Sequence, residues 1–101
     1  MSKTLKNEIQ AVVANLPKNS DIYIFGSFLN NAHPNDMDIL IVYDDNLCSP
    51  KLAYREFHSI IRQLEQLFSL KVDVTLLTRD EENSVNFIKS ENCLKIDDIF
   101  V

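Results

Sequence analysis

The spacing of apolar positions divides the chain into alternating helical and extended segments. Leu5, Ile9, Val12, Val13 and Leu16 fall on one side of a 3.6-residue turn and predict a first helix. Ser2 or Thr4 can cap it, and Pro17 stands where it should stop. After an Asn19-Ser20-Asp21 turn, Ile22 to Phe25 is short, β-branched and aromatic, which predicts a strand. Phe28 to Asn31 predicts one helical turn, followed by loop chemistry through His33-Pro34-Asn35. The nearly unbroken apolar run Ile39 to Tyr43 predicts a strand covered on both faces, at the centre of a sheet. Asp44-Asp45-Asn46 ends it, and Ser49-Pro50 leads into the next helix.

Ala53, Phe57, Ile60, Ile61, Leu64, Leu67 and Phe68 form the longest helical stripe, opposite a wet face of Arg55, Glu56, Arg62 and Glu65. Leu70 to Leu77 predicts a third strand, interrupted by Asp73 and Thr75. Asp80, Glu81 and Glu82 suit the start of a last helix, running to about Ser90 and burying Val85 and Ile88. Ile99 to Val101 is expected to add a short edge strand. The order predicts an α/β fold in which helices pack on a small mixed β-sheet, and 101 residues suit a single domain spanning 1–101.

Composition narrows the function classes. A net charge of −5, with ten scattered basic residues, argues against direct nucleic-acid binding, which needs clustered Lys and Arg. No apolar run reaches membrane-spanning length, and the first ten residues lack the apolar core of a signal peptide. Cys48 and Cys93 lack metal-ligand spacing and read as reduced thiols, so a cytoplasmic setting is expected. His33 and His58 read as surface or packing residues, and Tyr54 as a possible partner contact.

The candidate chemistry lies between Asp21 and Asp45. Gly26 is the only glycine in the chain, where average usage would give about seven. It should mark a tight turn or a close approach of backbone to ligand. Gly26-Ser27 follows the first strand and offers N–H groups and a hydroxyl to a phosphate. Asp36 and Asp38 are two apart at the mouth of the second strand, so both carboxylates point to one side. Two acids held together repel unless a cation joins them, and hard oxygen donors suit Mg²⁺. Asp73 is the odd residue of an apolar strand and should lie at its open end, where it could join the pair or take a proton from a hydroxyl.

With Phe25-Gly26-Ser27, Asp36-Met37-Asp38-Ile39-Leu40 and Val72-Asp73-Val74 in place, the chain resembles the minimal nucleotidyltransferases of the DNA polymerase β superfamily, over a core from about Asp21 to Ile88. The resemblance implies a polymerase β palm-like nucleotidyltransferase fold. It also implies that Gly26 and Ser27 hold a triphosphate, that Asp36 and Asp38 bind Mg²⁺, and that Asp73 completes the metal site or acts as base. The expected reaction moves a nucleoside monophosphate, AMP before others, from a nucleoside triphosphate such as ATP to a hydroxyl. Minimal members look like the small half of two-gene modules, paired with a helical HEPN-type toxin onto which some transfer AMP, so an antitoxin role is implied. The segment Phe28 to Asn35 departs from the family in having no Arg or Lys, leaving charge complementarity to His33 or a partner. That departure keeps open an inactive module that neutralises its partner by binding alone. Aspartyl phosphatases and glycosyltransferases also use Asp-x-Asp, but both need more chain.

Overall fold

The computed structural model describes residues 3–17, 19–44 and 50–100. Among these residues four strands form one mixed sheet: β1 (Asp21–Phe25), β2 (Asp36–Tyr43), β3 (Lys71–Thr78) and β4 (Leu94–Lys95), in the spatial order β3-β2-β1-β4. β2 pairs antiparallel with β1 and parallel with β3, while β4 pairs antiparallel with β1. Six helical segments accompany them among the described residues: α1 (Lys3–Ala14), α2 (Ser27–Asn30), α3 (Pro50–Phe68), α4 (Arg79–Val85), α5 (Phe87–Ser90) and α6 (Ile96–Ile99). A small mixed sheet with helices packed on it is the fold class expected, and β2 is the interior strand that its apolar run predicts.

Strand alternation gives the sheet two different faces. Met37, Ile39, Ile41 and Tyr43 of β2 point into the main core with Ile9 and Val12 of α1, Phe57, Ile60 and Leu64 of α3, and Ile96 and Phe100. The alternate residues Leu40 and Val42 meet Tyr23, Phe25, Leu77, Phe87, Ile88 and Cys93 in a smaller cluster. That second face is apolar only along part of β2, because the same row begins with Asp36 and Asp38. The half-covered end is where the polar residues collect.

Several side chains fix the elements around that end. Phe28 of α2 packs edge-on against Phe68 at 5.5 Å, and Phe68 meets Phe100 at 5.6 Å, so α2 is tied to the end of α3. The backbone N–H of Val72 donates to Glu65 of α3 at 3.1 Å, satisfying a donor near the start of outer strand β3. At the other end, Asp21 accepts from Arg79 at 2.9 Å and pairs with Lys95 at 3.2 Å, linking β1 to α4 and β4. Burial opposes the charged form of Asp21, but hydrogen bonds from Arg79 and Lys95 outweigh it and hold the carboxyl below its ordinary pKa.

Three expectations change. The last helix is two short ones, because Asn86 adopts a left-handed conformation (φ 55°) between α4 and α5. Val85, expected inside, is 59% exposed, while Phe87 and Ile88 of α5 reach the second face. The short edge strand is Leu94–Lys95 rather than Ile99 to Val101; Ile96–Ile99 is helical and buries Ile96, and residue 101 lies outside the described residues. Ser2, Asp45 and Cys48 also lie outside them. Cys93 is a free, buried thiol whose pKa is pushed up to about 11, chiefly by burial and then by Glu91 and Glu82. His58 is exposed and sits beside Tyr54, which is itself half exposed. Among the described residues, no helix is long and apolar enough to cross a membrane.

Candidate functional site

Gly26 ends β1 in a conformation (φ 78°, ψ −149°) that is close to glycine-only backbone space. A Cβ there would stand 2.7 Å from Oδ2 of Asp38. The lone glycine is therefore required twice, by the sharp exit of the chain from β1 and by the carboxylate lying against it. The sharp exit agrees with the tight turn expected there, while the group found against the glycine is the Asp38 carboxylate. Immediately afterwards the chain makes the single turn α2, in which Leu29 N–H donates to Gly26 C=O at 3.1 Å and Asn31 N–H to Ser27 C=O at 2.8 Å.

Ser27 is exposed and is the first helical residue, not the cap; the cap position is Gly26, and its turn has no side-chain cap. Four residues make too little helix for a strong macrodipole, so the corner offers N–H groups and a hydroxyl rather than a helix field. The following polar loop is braced by His33 N–H donating to the Asn31 side chain at 3.0 Å. His33 is exposed there.

Strand register brings the acids together. Asp38 is the cross-strand partner of Phe25 on one side and of Asp73 on the other. Because β2 and β3 are parallel and in register, Asp38 and Asp73 stand side by side on one sheet face. Asp36 lies one pleat away on that face, opposite Lys71. Burial and then the negative charges of Asp73 and Asp36 raise the pKa of Asp38 above its ordinary value. The charges of Asp73 and Asp36 thus act against the charged form of Asp38, a repulsion that a cation between them would relieve.

Asp73 itself is turned to a neighbour on its own strand: Oδ1 lies 3.7 Å from Nζ of Lys71. Among the described residues, no three His, Cys, Asp or Glu side chains already stand within ligating range of one point. The donor set nevertheless suits Mg²⁺ by its chemistry, since it is all oxygen, acidic and open to solvent on one side. Asp36, Asp38 and Asp73 are the residues that would hold such an ion, with Gly26 and Ser27 beside Asp38 on the β1 side.

Two further features belong to this end of the sheet. Phe25 lies on the same face as Asp38 and packs edge-on against Phe87 at 5.1 Å, forming an aromatic wall beside the carboxylates. Lys71 brings a positive charge to the acids. A lysine at the mouth of a strand is ordinary in a sequence, but its position two residues before Asp73 is the signal that both share one face.

This fold, with acids on neighbouring parallel strands and a glycine corner opposite, defines a nucleotidyltransferase of the polymerase β type. The family described as Polymerase beta, Nucleotidyltransferase matches residues 7–98, and the chain belongs to it. Two solved structures share the fold. One is described as a toxin–antitoxin with AMP-PNP; it is 23% identical, with a TM-score of 0.57 over 94% of this chain and 79% of that one. The other is a toxin–antitoxin MntA–HpeT mutant with two Asp-to-Glu changes, 19% identical, with the same TM-score and the same coverage of both chains. No curated protein matches the sequence.

Proposed function

We propose that this chain is a Mg²⁺-dependent nucleotidyltransferase that moves a nucleoside monophosphate, AMP before others, from a nucleoside triphosphate to a hydroxyl on a partner protein. The observation that carries this reading is the in-register pairing of Asp38 with Asp73, with Asp36 one pleat away and Gly26 pressed against Asp38. Family membership supports the reaction class. In one structural neighbour the two changed aspartates stand two positions apart, as Asp36 and Asp38 do, and the other is described with AMP-PNP, an ATP analogue. Both neighbours come from toxin–antitoxin pairs, which supports an antitoxin role. A HEPN-type toxin is the proposed partner, and the cytoplasm the proposed setting.

Each residue has a part in this chemistry. The N–H groups at Gly26 and Ser27, with the Ser27 hydroxyl, bind phosphate oxygens of the triphosphate. Asp36 and Asp38, joined by Asp73, would hold Mg²⁺. When bound, the ion supplies the positive charge that offsets the phosphates and makes an attacking hydroxyl more acidic. Asp73 accepts the proton of that hydroxyl while its oxygen forms the bond to the α-phosphorus, and the bond to pyrophosphate breaks. Phe25 and Phe87 limit the space beside the corner and exclude water from one flank.

Transfer of label from α-labelled ATP to the protein encoded beside this one tests the reading. Wild type should label it, and Asp36→Asn/Asp38→Asn should not. A second reading is favoured by one observation, the absence of Arg and Lys from Phe28 to Asn35. In that reading the fold neutralises its partner by covering it, without catalysis. Neutralisation that survives in the double mutant, with no label transfer by wild type, would select it.

A further inference from the structure

Among the described residues, Lys71 is the cation paired with these carboxylates, and its position follows from the strand geometry. Lys71 and Asp73 are two apart in β3, so their side chains leave the same face of the sheet. The ammonium lies 3.7 Å from Asp73 Oδ1, and across the ladder Lys71 is the register partner of Asp36. It thus stands at the outer corner of the acidic group, with the glycine corner on the far side of Asp38. Lys71 does not belong to a core contact: its side chain is 73% exposed. Its packing contribution is small, and what it brings to this place is charge.

We propose that Lys71 is the standing counter-ion of this acidic group, a positioning residue that pairs with Asp73 until a divalent cation displaces it. The inference rests on the metal role proposed above for Asp36, Asp38 and Asp73. Two cations cannot share Asp73 without cost, so the lysine lowers the affinity of the nucleotide-free protein for metal. A metal arriving already bound to a triphosphate brings its own negative charge, which Lys71 does not repel. The pairing therefore favours the metal–nucleotide complex over free metal. A long, mobile ammonium suits this task, because it can swing away without rearranging the strand.

The test is titration of the nucleotide-free protein with Mn²⁺, followed by calorimetry or water-proton relaxation, for wild type, Lys71→Met, Lys71→Arg and Asp36→Asn/Asp38→Asn. Circular dichroism checks that each variant is folded. Lys71→Met should bind Mn²⁺ about two- to fivefold more tightly than wild type, the range of a solvent-exposed ion pair. Lys71→Arg should restore wild-type affinity, and the advantage of Lys71→Met should shrink as salt screens the charges. Equal or weaker Mn²⁺ binding by Lys71→Met, with binding abolished in Asp36→Asn/Asp38→Asn, would overturn the counter-ion role and leave the metal site standing. Absence of Mn²⁺ binding at millimolar concentration in both wild type and Lys71→Met would overturn both.

Discussion

At the scale of single residues, the most constrained position is Gly26. Its backbone lies where only glycine is comfortable, and its missing side chain makes room for the Asp38 carboxylate. Gly26→Ala should lower unfolding free energy by about 1–3 kcal/mol, from strain alone, as read by urea melts. It should also push Asp38 aside and weaken Mn²⁺ binding by roughly tenfold or more. Asp38 makes a different prediction. Its pKa is raised in the folded protein, so the native state holds this proton more tightly than the unfolded chain does. With the native state binding more protons, stability falls as pH rises from the ordinary aspartate pKa through the raised one. Asp38→Asn should remove that fall: the mutant gains stability over wild type above the window, and the two converge below it. Melting curves from pH 3 to pH 7 in metal-free buffer check this, and Asp73→Asn should lessen the same slope by removing one source of the shift.

At the scale of elements, the site depends on how β3 is followed. Thr78 caps α4 by accepting from Glu81 N–H at 3.1 Å, while the Glu81 carboxylate accepts from Thr78 N–H at 2.9 Å. This reciprocal box turns the chain off the sheet immediately after the last paired residue of β3. Thr78→Ala should cost about 1 kcal/mol in global stability, measurable by denaturant midpoint. Sequence pattern revealed the elements whose period is long. The unbroken run in β2 declared an interior strand, and the stripe from Ala53 to Phe68 declared α3. Asp73 was conspicuous because a charge interrupts an apolar strand. The tail was illegible for a physical reason: β4 is two residues, too short for any period, and exists only because β1 offers an edge beside it. The break at Asn86 was hidden for another. An asparagine can sit inside a helix or take a left-handed turn, and here the pull of Phe87 toward Phe25 accompanies the second choice. Asn19 and Asn92, like Ser69, also take positive φ, so this glycine-poor chain does use other residues for its turns.

For the whole molecule, the predicted reporter is ligand-linked stability. A ligand that binds only the native state stabilises it by about 2.7 kcal/mol at a hundred times its Kd. In a domain of about 100 residues that corresponds to a rise in Tm of roughly 10 °C or more. ATP with Mg²⁺ should produce such a shift in wild type and lose most of it in Asp36→Asn/Asp38→Asn. Persistence of the full shift in the double mutant would mean that nucleotide binds elsewhere. The acidic balance of the chain also has a bearing at this scale. With a net charge of −5 it would be attracted over distance to a basic partner, and that attraction should weaken with salt.

The row Asp36, Asp38, Leu40, Val42 has a consequence for folding fidelity. Sliding β2 by one residue against its neighbours would turn both acids into the helix-packed layer and push Met37 and Ile39 out to water. Sliding it by two would keep the layers but uncouple Asp38 from Asp73 and set it beside Lys71 or Thr75 instead. The one-residue slip is thus penalised by burial of two carboxylates, so the acids of the candidate site also mark which face of β2 meets the helices.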